Sequence, residues 1–99
     1  MQYNFEWTPI KAKANARKHK VSFERAAEVF LDPLALSIFD DAHSEKEDRW
    51  ITLGKDKSDL LLVVIHTFNE AEKDQSIIRI ISARKANRNE RKQYEGESL

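Results

Sequence analysis

An arginine interrupts the most strand-like segment of this chain. The apolar run from Ile77 to Ile81 is typical of a buried strand, but Arg79 stands at its centre. Because burying an unpaired charge is too costly, the Arg79 side chain must face solvent or contact an anion. A second arginine, Arg84, follows where the strand gives way to a charged, helix-like segment. These two guanidinium groups are a first indication of a site that binds nucleic-acid phosphate.

Length and composition predict a single domain, residues 1–99, with one hydrophobic core. The absence of cysteine excludes disulfides, thiolate nucleophiles and cysteine zinc sites, and it is compatible with a reducing compartment. The longest apolar run, Leu60 to Ile65, has six residues, which is far short of a membrane span. The first residues lack the basic and apolar blocks of a signal peptide. We therefore expect a cytoplasmic protein that does not associate with membranes.

Positive charge is concentrated at the two ends of the chain, although the formal net charge is zero. Residues 1–25 contain six basic residues (Lys or Arg) and two acidic ones, and residues 79–92 contain six basic residues and one acidic one. Between them, residues 26–60 contain four basic and nine acidic residues. Neutrality argues against indiscriminate coating of nucleic acid, whereas a local basic face still attracts phosphate. For either basic segment alone, a solvated helix surface is the simpler interpretation.

Periodicity predicts an α+β domain with the element order β-α-α-β-β-β-β-α. Thr8-Pro9 and Ser22 mark the beginnings of the first two helices as N-caps, and Asp32-Pro33 ends the second. Residues 54–59 and 69–74 are predicted to be polar turns, and the short connections favour an antiparallel sheet with helices packed on one face. The predicted strands cover residues 3–7, 34–39, 49–53, 60–68 and 75–83, and the predicted helices cover residues 9–19, 23–31 and 84–95.

Five residues are candidates for RNA cleavage without a metal. That reaction needs a group that deprotonates the 2′-hydroxyl, cations that stabilise the phosphorane, and a proton donor for the 5′-oxygen. His66 is the candidate base, since histidine transfers protons near neutral pH, and Arg79, Arg84 and Arg49 are the candidate phosphate ligands. Tyr94 is a candidate base-stacking platform or proton donor. The alternatives are structural: a histidine that caps a strand and a tyrosine that packs on the sheet.

Cations near the two ends are predicted to bind the RNA backbone. On the predicted final helix Arg84, Arg88 and Arg91 fall at i, i+4 and i+7, which would make one ridge facing RNA. The alternative is a solvated helix surface. The residues assigned to RNA binding are Lys11, Lys18, Lys85, Arg88 and Arg91.

No metal or other cofactor is predicted. His43 lies in an acidic loop, residues 40–48, together with Asp40, Asp41, Glu45 and Glu47. A single histidine among loop carboxylates is a weak metal signal, and a solvated acidic loop is the simpler interpretation.

Two sequence signatures and a few residues between them carry a family resemblance. The first consists of Phe5-Glu6-Trp7, Pro9, Lys11, Asn15, Lys18-His19, Val21-Ser22-Phe23-Glu24, Ala26-Ala27, Val29-Phe30 and Asp32-Pro33. His43-Ser44, Glu47, Arg49 and Gly54 match in the middle, and the second signature consists of Arg79-Ile80-Ile81-Ser82-Ala83-Arg84, Ala86, Glu90-Arg91 and Tyr94. With these residues the chain resembles the BrnT toxin family from residue 5 to about residue 95.

The resemblance implies a RelE-like ribonuclease fold and toxic cleavage of cellular RNA that arrests growth. It also implies a BrnA-type antitoxin that inhibits the toxin by direct contact, with operator DNA bound only through the complex. The chain departs from the family pattern where Lys20 replaces a glycine, Thr8 replaces an aspartate, and Phe68-Asn69 replaces Glu-Arg. The last departure removes one cation near the candidate site.

Three functions are therefore in competition. The first is an active endoribonuclease toxin, and the second is a degenerate toxin homologue that binds the antitoxin and helps to repress the operon. The third, a nucleic-acid-binding regulator acting by itself, is disfavoured by the neutral net charge and the lack of a helix-turn-helix pattern. An antitoxin could cover the basic ends with an acidic segment, or the acidic loop with a basic one; we favour the former because it masks the phosphate-binding cations.

Overall fold

Six strands in one sheet and three helices form the fold of residues 2–96, which are the residues that the computed structural model describes. This architecture confirms the predicted α+β class. None of the helices in this range is long and apolar enough to cross a membrane. The elements are β1 (Gln2–Glu6), α1 (Pro9–His19), α2 (Phe23–Glu28), β2 (Leu36–Phe39), β3 (Trp50–Lys55), β4 (Leu61–His66), β5 (Asn69–Glu72), β6 (Gln75–Lys85) and α3 (Arg88–Tyr94), with 3-10 turns at Val29–Leu31 and Asp41–His43.

The sheet has the strand order β1-β6-β4-β3-β2. Strands β2, β3 and β4 form an antiparallel meander, β6 runs antiparallel to β4, and β1 joins the outer edge of β6 in parallel. Strand β5 lies within the predicted turn 69–74 and pairs with the first part of β6. The sequence pattern missed β5 because all four of its residues are exposed, so no apolar alternation marks it.

The predicted beginning of the last helix, at Arg84, is wrong. Strand β6 continues to Lys85, and α3 begins after Asn87. The Asn87 side chain accepts a hydrogen bond from the Glu90 backbone N–H, and the Glu90 carboxylate accepts one from the Asn87 N–H. This capping box fixes where the helix begins. Arg84 therefore does not share a helical ridge with Arg88 and Arg91.

The two faces of the sheet are covered differently. The helix-covered face, beneath α1 and α2, holds the larger core: Val21, Phe23, Ala26, Val29, Leu62, Val64, Ile78, Ile80 and Ala83. On the other side lies what we call the open face, which carries Ile51, Leu53, Val63, Ile65 and Arg84. Helix α3 covers only one end of the open face, where Tyr94 and Ala86 pack against Leu53, Leu61 and Val63.

Helix α1 is attached to β6 through one buried side chain. The Asn15 carboxamide donates hydrogen bonds to the carbonyl oxygens of Val21 (3.0 Å) and Ala83 (2.9 Å) and accepts one from the Ala83 N–H (3.0 Å). Strand β1 pairs only with residues 75–79 of β6, so Asn15 satisfies the edge of β6 where β1 has ended.

Helix α1 ends without the glycine that the resembled family carries. Lys20 takes the left-handed conformation, with φ of 60°, and its N–H donates to the Ala16 carbonyl oxygen. The helix therefore closes in the geometry that favours glycine, at some conformational cost to a lysine.

Candidate nucleic-acid site

Two arginines from different segments converge on one carboxylate at the open face. A guanidinium nitrogen of Arg79 forms a hydrogen-bonded ion pair with Glu47, and Nη2 of Arg49 lies 3.7 Å from the other oxygen of that carboxylate. Each of the three side chains keeps about a third of its surface exposed (34–38%), so the cluster is open to a ligand. Two cations and one anion leave a net charge of +1. We call Arg49 and Arg79 the arginine pair.

Strand alternation places the arginine pair on the open face. Ile78 and Ile80 are buried beneath the helices, so Arg79 between them points the other way. Trp50 pairs in register with His66 on the helix-covered face, and Arg49, one residue earlier, is turned toward the open face. The same alternation that builds the core therefore brings the two guanidinium groups to one side.

Hydrogen bonds close the loop that carries Glu47. The Ser44 hydroxyl donates to the Asp40 carbonyl oxygen (2.6 Å) and accepts from the Arg49 N–H (3.0 Å). The Asp40 N–H donates to the Arg49 carbonyl oxygen, and the Asp40 carboxylate accepts a hydrogen bond from His43 Nδ1 (3.0 Å). These contacts hold loop 40–49 at the end of β2 and β3, where Glu47 reaches Arg79 of β6.

His66 lies on the opposite side of the sheet from the arginine pair. Its side chain is buried on the helix-covered face, with the ring packed edge-on against Phe30 at 4.8 Å between centroids. Nδ1 lies 2.9 Å from the Thr67 carbonyl oxygen and must donate to it, so Nε2 accepts from the Thr52 hydroxyl at 2.6 Å. Burial lowers the pKa of His66 despite the Thr67 contact, and the neutral ring is fully hydrogen-bonded. Its contacts match the structural alternative.

Arg84 is on the open face but belongs to another cluster. Its two terminal nitrogens donate to the two carboxylate oxygens of Glu90, each at 2.8 Å. This bidentate pair raises the pKa of Arg84 and lowers that of Glu90. Arg84 is five positions from Arg79 along β6, about 16 Å of extended backbone. The pair is neutral as a whole, unlike the cluster around Glu47.

Tyr94 lies at the end of the sheet remote from the arginine pair. Its hydroxyl donates to Oδ2 of Asp32 at 2.6 Å, and Lys55 Nζ lies 5.7 Å from the ring centre. Burial and the contact with Asp32 raise the pKa of Tyr94 to about 12, which makes the hydroxyl a poor proton donor near neutral pH. Burial would raise the pKa of Asp32, but hydrogen bonds from Tyr94 and two backbone N–H groups lower it.

Of the five candidate catalytic residues, the structure brings together only Arg49 and Arg79. Alternation along β4 puts His66 on the same face as Leu62 and Val64, and the helices cover that face. The residue that sequence reasoning missed is Glu47. Its signals were its position two residues before Arg49 and its match to the pattern of the resembled family, although a solvated acidic loop also explains the first.

The five predicted RNA-binding cations are exposed but do not form one surface. Lys11 and Lys18 belong to α1, which packs on the helix-covered face. Lys85 ends β6, and Arg88 and Arg91 belong to α3 on the open face. Arg91 lies 3.8 Å from Glu95, the residue that follows the end of α3.

Sequence comparison decides the family. The model of the family described as "Ribonuclease toxin, BrnT, of type II toxin-antitoxin system" matches residues 7–90, most of the chain. The chain belongs to the BrnT family. It is thus a member of the ribonuclease toxins of type II toxin–antitoxin systems, and that membership implies an antitoxin as partner. The matched range contains Glu47, Arg49 and Arg79, whereas Tyr94 lies beyond it.

The BrnT fold is also found among solved structures. The chain is similar to the 1.1 Å crystal structure of the Brucella abortus ribonuclease toxin BrnT, with a TM-score of 0.64 and 24% sequence identity. The alignment covers 89% of this chain and 100% of that chain. At this identity the likeness shows a shared fold. No curated protein matches the chain.

Proposed function

We propose that this BrnT-family chain is an endoribonuclease toxin that cleaves cellular RNA without a metal and binds the scissile phosphate with the arginine pair. The observation that supports this proposal is the convergence of Arg49 and Arg79 on one oxyanion at a solvent-open face. Carboxylate and phosphate oxygens accept the same charge-assisted hydrogen bonds from guanidinium groups. Each guanidinium has five N–H donors, so contact with Glu47 leaves donors for a phosphate beside it.

The arginine pair has a defined role in the proposed reaction. When the 2′-oxygen attacks phosphorus, negative charge accumulates on the non-bridging oxygens, and fixed cations beside them lower the barrier. Removing one such donor typically costs about 10²–10³ in rate. Arg88 and Arg91 on α3 would extend backbone binding along the open face, whereas Lys11 and Lys18 face away from it. The proposed action on cellular RNA would take place in the cytoplasm and arrest growth.

Induction of the chain alone in a bacterial host tests this function. We expect growth arrest together with new RNA 5′-ends, and a loss of both in Arg79→Ala and Arg49→Ala. Arg84→Ala is the matched control, since Arg84 lies on the same strand and face and is similarly exposed but pairs with Glu90. Circular dichroism and thermal unfolding establish that each variant is folded. Full toxicity of a folded Arg79→Ala variant would contradict the assignment of the site.

We further propose that a BrnA-type antitoxin inhibits the toxin by placing an acidic segment over the arginine pair, with operator DNA bound only by the complex. The two guanidinium groups that the arginine pair exposes at the open face support this surface, since an acidic segment could pair with both. Affinity of the complex should fall as salt rises, and Arg79→Ala should weaken binding more than Arg84→Ala does. Equal weakening by the two variants would place the antitoxin elsewhere.

One observation favours a second candidate function, that of a non-cleaving toxin homologue that binds the antitoxin and acts as co-repressor. Asn69 pairs in register with Ile77, which puts its side chain on the same face as Arg79, two residues further along β6. The arginine expected here from the family pattern would add a cation beside the arginine pair, and asparagine does not. This function predicts operator binding by the complex without new RNA ends. In that case Asn69→Arg should restore cleavage.

A further inference from the structure

We propose that loop 40–49 supplies both proton transfers of the cleavage, with Glu47 as general base and His43 as general acid. This inference rests on the proposed function and extends it, since the arginine pair alone cannot move a proton. His66 and Tyr94, the groups favoured by the sequence, are respectively buried on the other face and bonded to Asp32. The proton-transfer groups must therefore come from elsewhere on the open face.

Glu47 has the position that a general base needs. Among residues 2–96 it is the carboxylate that contacts both members of the arginine pair. A phosphate bound to the remaining guanidinium donors would lie next to this carboxylate, and the 2′-hydroxyl of the same nucleotide lies next to its phosphate. The two guanidinium groups also offset the repulsion between the carboxylate and the phosphate.

His43 lines a cleft next to Glu47, and a hydrogen bond to Asp40 orients its ring. A cleft of about 270 Å³ opens beside Glu47 and Arg49, and His43 and Lys46 form part of its wall. Nδ1 of His43 donates to the Asp40 carboxylate at 3.0–3.1 Å, so Nε2 is the nitrogen left to face a ligand. A carboxylate that holds the far nitrogen of an imidazole fixes the orientation of the ring. Asp40 is thus a positioning residue.

Glu47 and His43 together account for both proton transfers of the reaction. Glu47 takes the proton of the 2′-hydroxyl, the 2′-oxygen bonds to phosphorus, and the bond from phosphorus to the 5′-oxygen breaks. Nε2 of His43 gives its proton to the leaving 5′-oxygen, while the arginine pair holds the phosphorane charge. The products are a 2′,3′-cyclic phosphate and a 5′-hydroxyl. Exchange with water returns the proton to His43 and removes the one on Glu47.

Single-turnover cleavage of a short RNA by Glu47→Gln and His43→Gln tests the assignment. We expect each variant to lose about 10²–10⁴ in rate. Glu47→Gln should bind RNA at least as tightly as the wild type, because it removes an anion from the phosphate site. Asp48→Asn, a charge loss in the same loop, and His19→Gln are the matched controls.

A modified substrate separates the two roles. A 5′-bridging phosphorothiolate has a leaving group that needs no proton, so it should restore the rate of His43→Gln but not that of Glu47→Gln. Wild-type rates in either folded variant on ordinary RNA would overturn the role given to that residue. Absence of cleavage by the wild type on any RNA would overturn the proposed function itself. Cleavage that needs the arginine pair but neither Glu47 nor His43 would overturn this inference alone.

Discussion

Asn15 is the residue whose replacement should test the architecture most directly. Its carboxamide makes three hydrogen bonds, to the carbonyl oxygens of Val21 and Ala83 and from the Ala83 N–H, and only 6% of the residue is exposed. Asn15→Ala removes all three and leaves the backbone groups of β6 and of the α1–α2 connection without these partners. At about 1 to 1.5 kcal/mol for each bond, the free energy of unfolding should fall by about 3–4.5 kcal/mol.

Urea unfolding followed by circular dichroism at neutral pH measures this loss. Lys18→Ala provides the control, because it changes an exposed residue of the same helix and should alter stability by less than about 0.5 kcal/mol. Arg79 lies on the opposite face, so RNA cleavage by the folded fraction of Asn15→Ala should be retained. A loss below about 1 kcal/mol would show that water replaces the carboxamide, and the reasoning that Asn15 completes the edge of β6 would be refuted.

Three further substitutions have defined outcomes. Burial lowers the pKa of His66, so as the pH falls through 6.5 the unfolded chain binds a proton that the folded chain does not, and the free energy of unfolding decreases. His66→Gln should remove this decrease, which is up to about 1.4 kcal/mol per pH unit, in urea titrations from about pH 7.5 to about pH 5.5. Lys20→Gly should raise the free energy of unfolding by about 0.5–1 kcal/mol by relieving the left-handed conformation, whereas Lys18→Gly should lower it by about 1 kcal/mol. Tyr94→Phe should cost about 1–2 kcal/mol of stability through the lost hydrogen bond to Asp32, measured by thermal unfolding, with RNA cleavage unchanged. Reduced cleavage by a stably folded Tyr94→Phe would instead support a direct role.

Local sequence signals predicted the first half of the fold well. Thr8-Pro9 begins α1 and the helix ends at His19, as predicted, because a side-chain cap and a fixed proline φ act over a few residues. Ser22 caps α2 in the same way, and the apolar residues at helical spacing after it, beginning with Phe23, face the core. Such signals need no knowledge of the rest of the chain.

Signals failed where a neighbouring element decides the conformation. Residues 69–72 form β5 because β6 offers a partner, although their own side chains are polar and exposed. Gly54, predicted to begin a turn, is a buried residue of β3, where an added Cβ would lie only 2.8 Å from Val29 Cγ1. The close approach of this strand to the turn at Val29–Leu31 is a tertiary property, which the sequence of the strand does not reveal.

The sequence by itself determined that this chain forms an α+β domain, where its first helices begin, and that Arg79 must lie on a surface or meet an anion, because these features depend on local propensity and on the cost of burying a charge. Only the tertiary structure decided which face of the sheet the helices cover. That choice buries His66, exposes Arg49 and Arg79 together, and brings Glu47 between them. Strand alternation assigns a side chain to one of two faces, but long-range packing determines which face is open to a substrate.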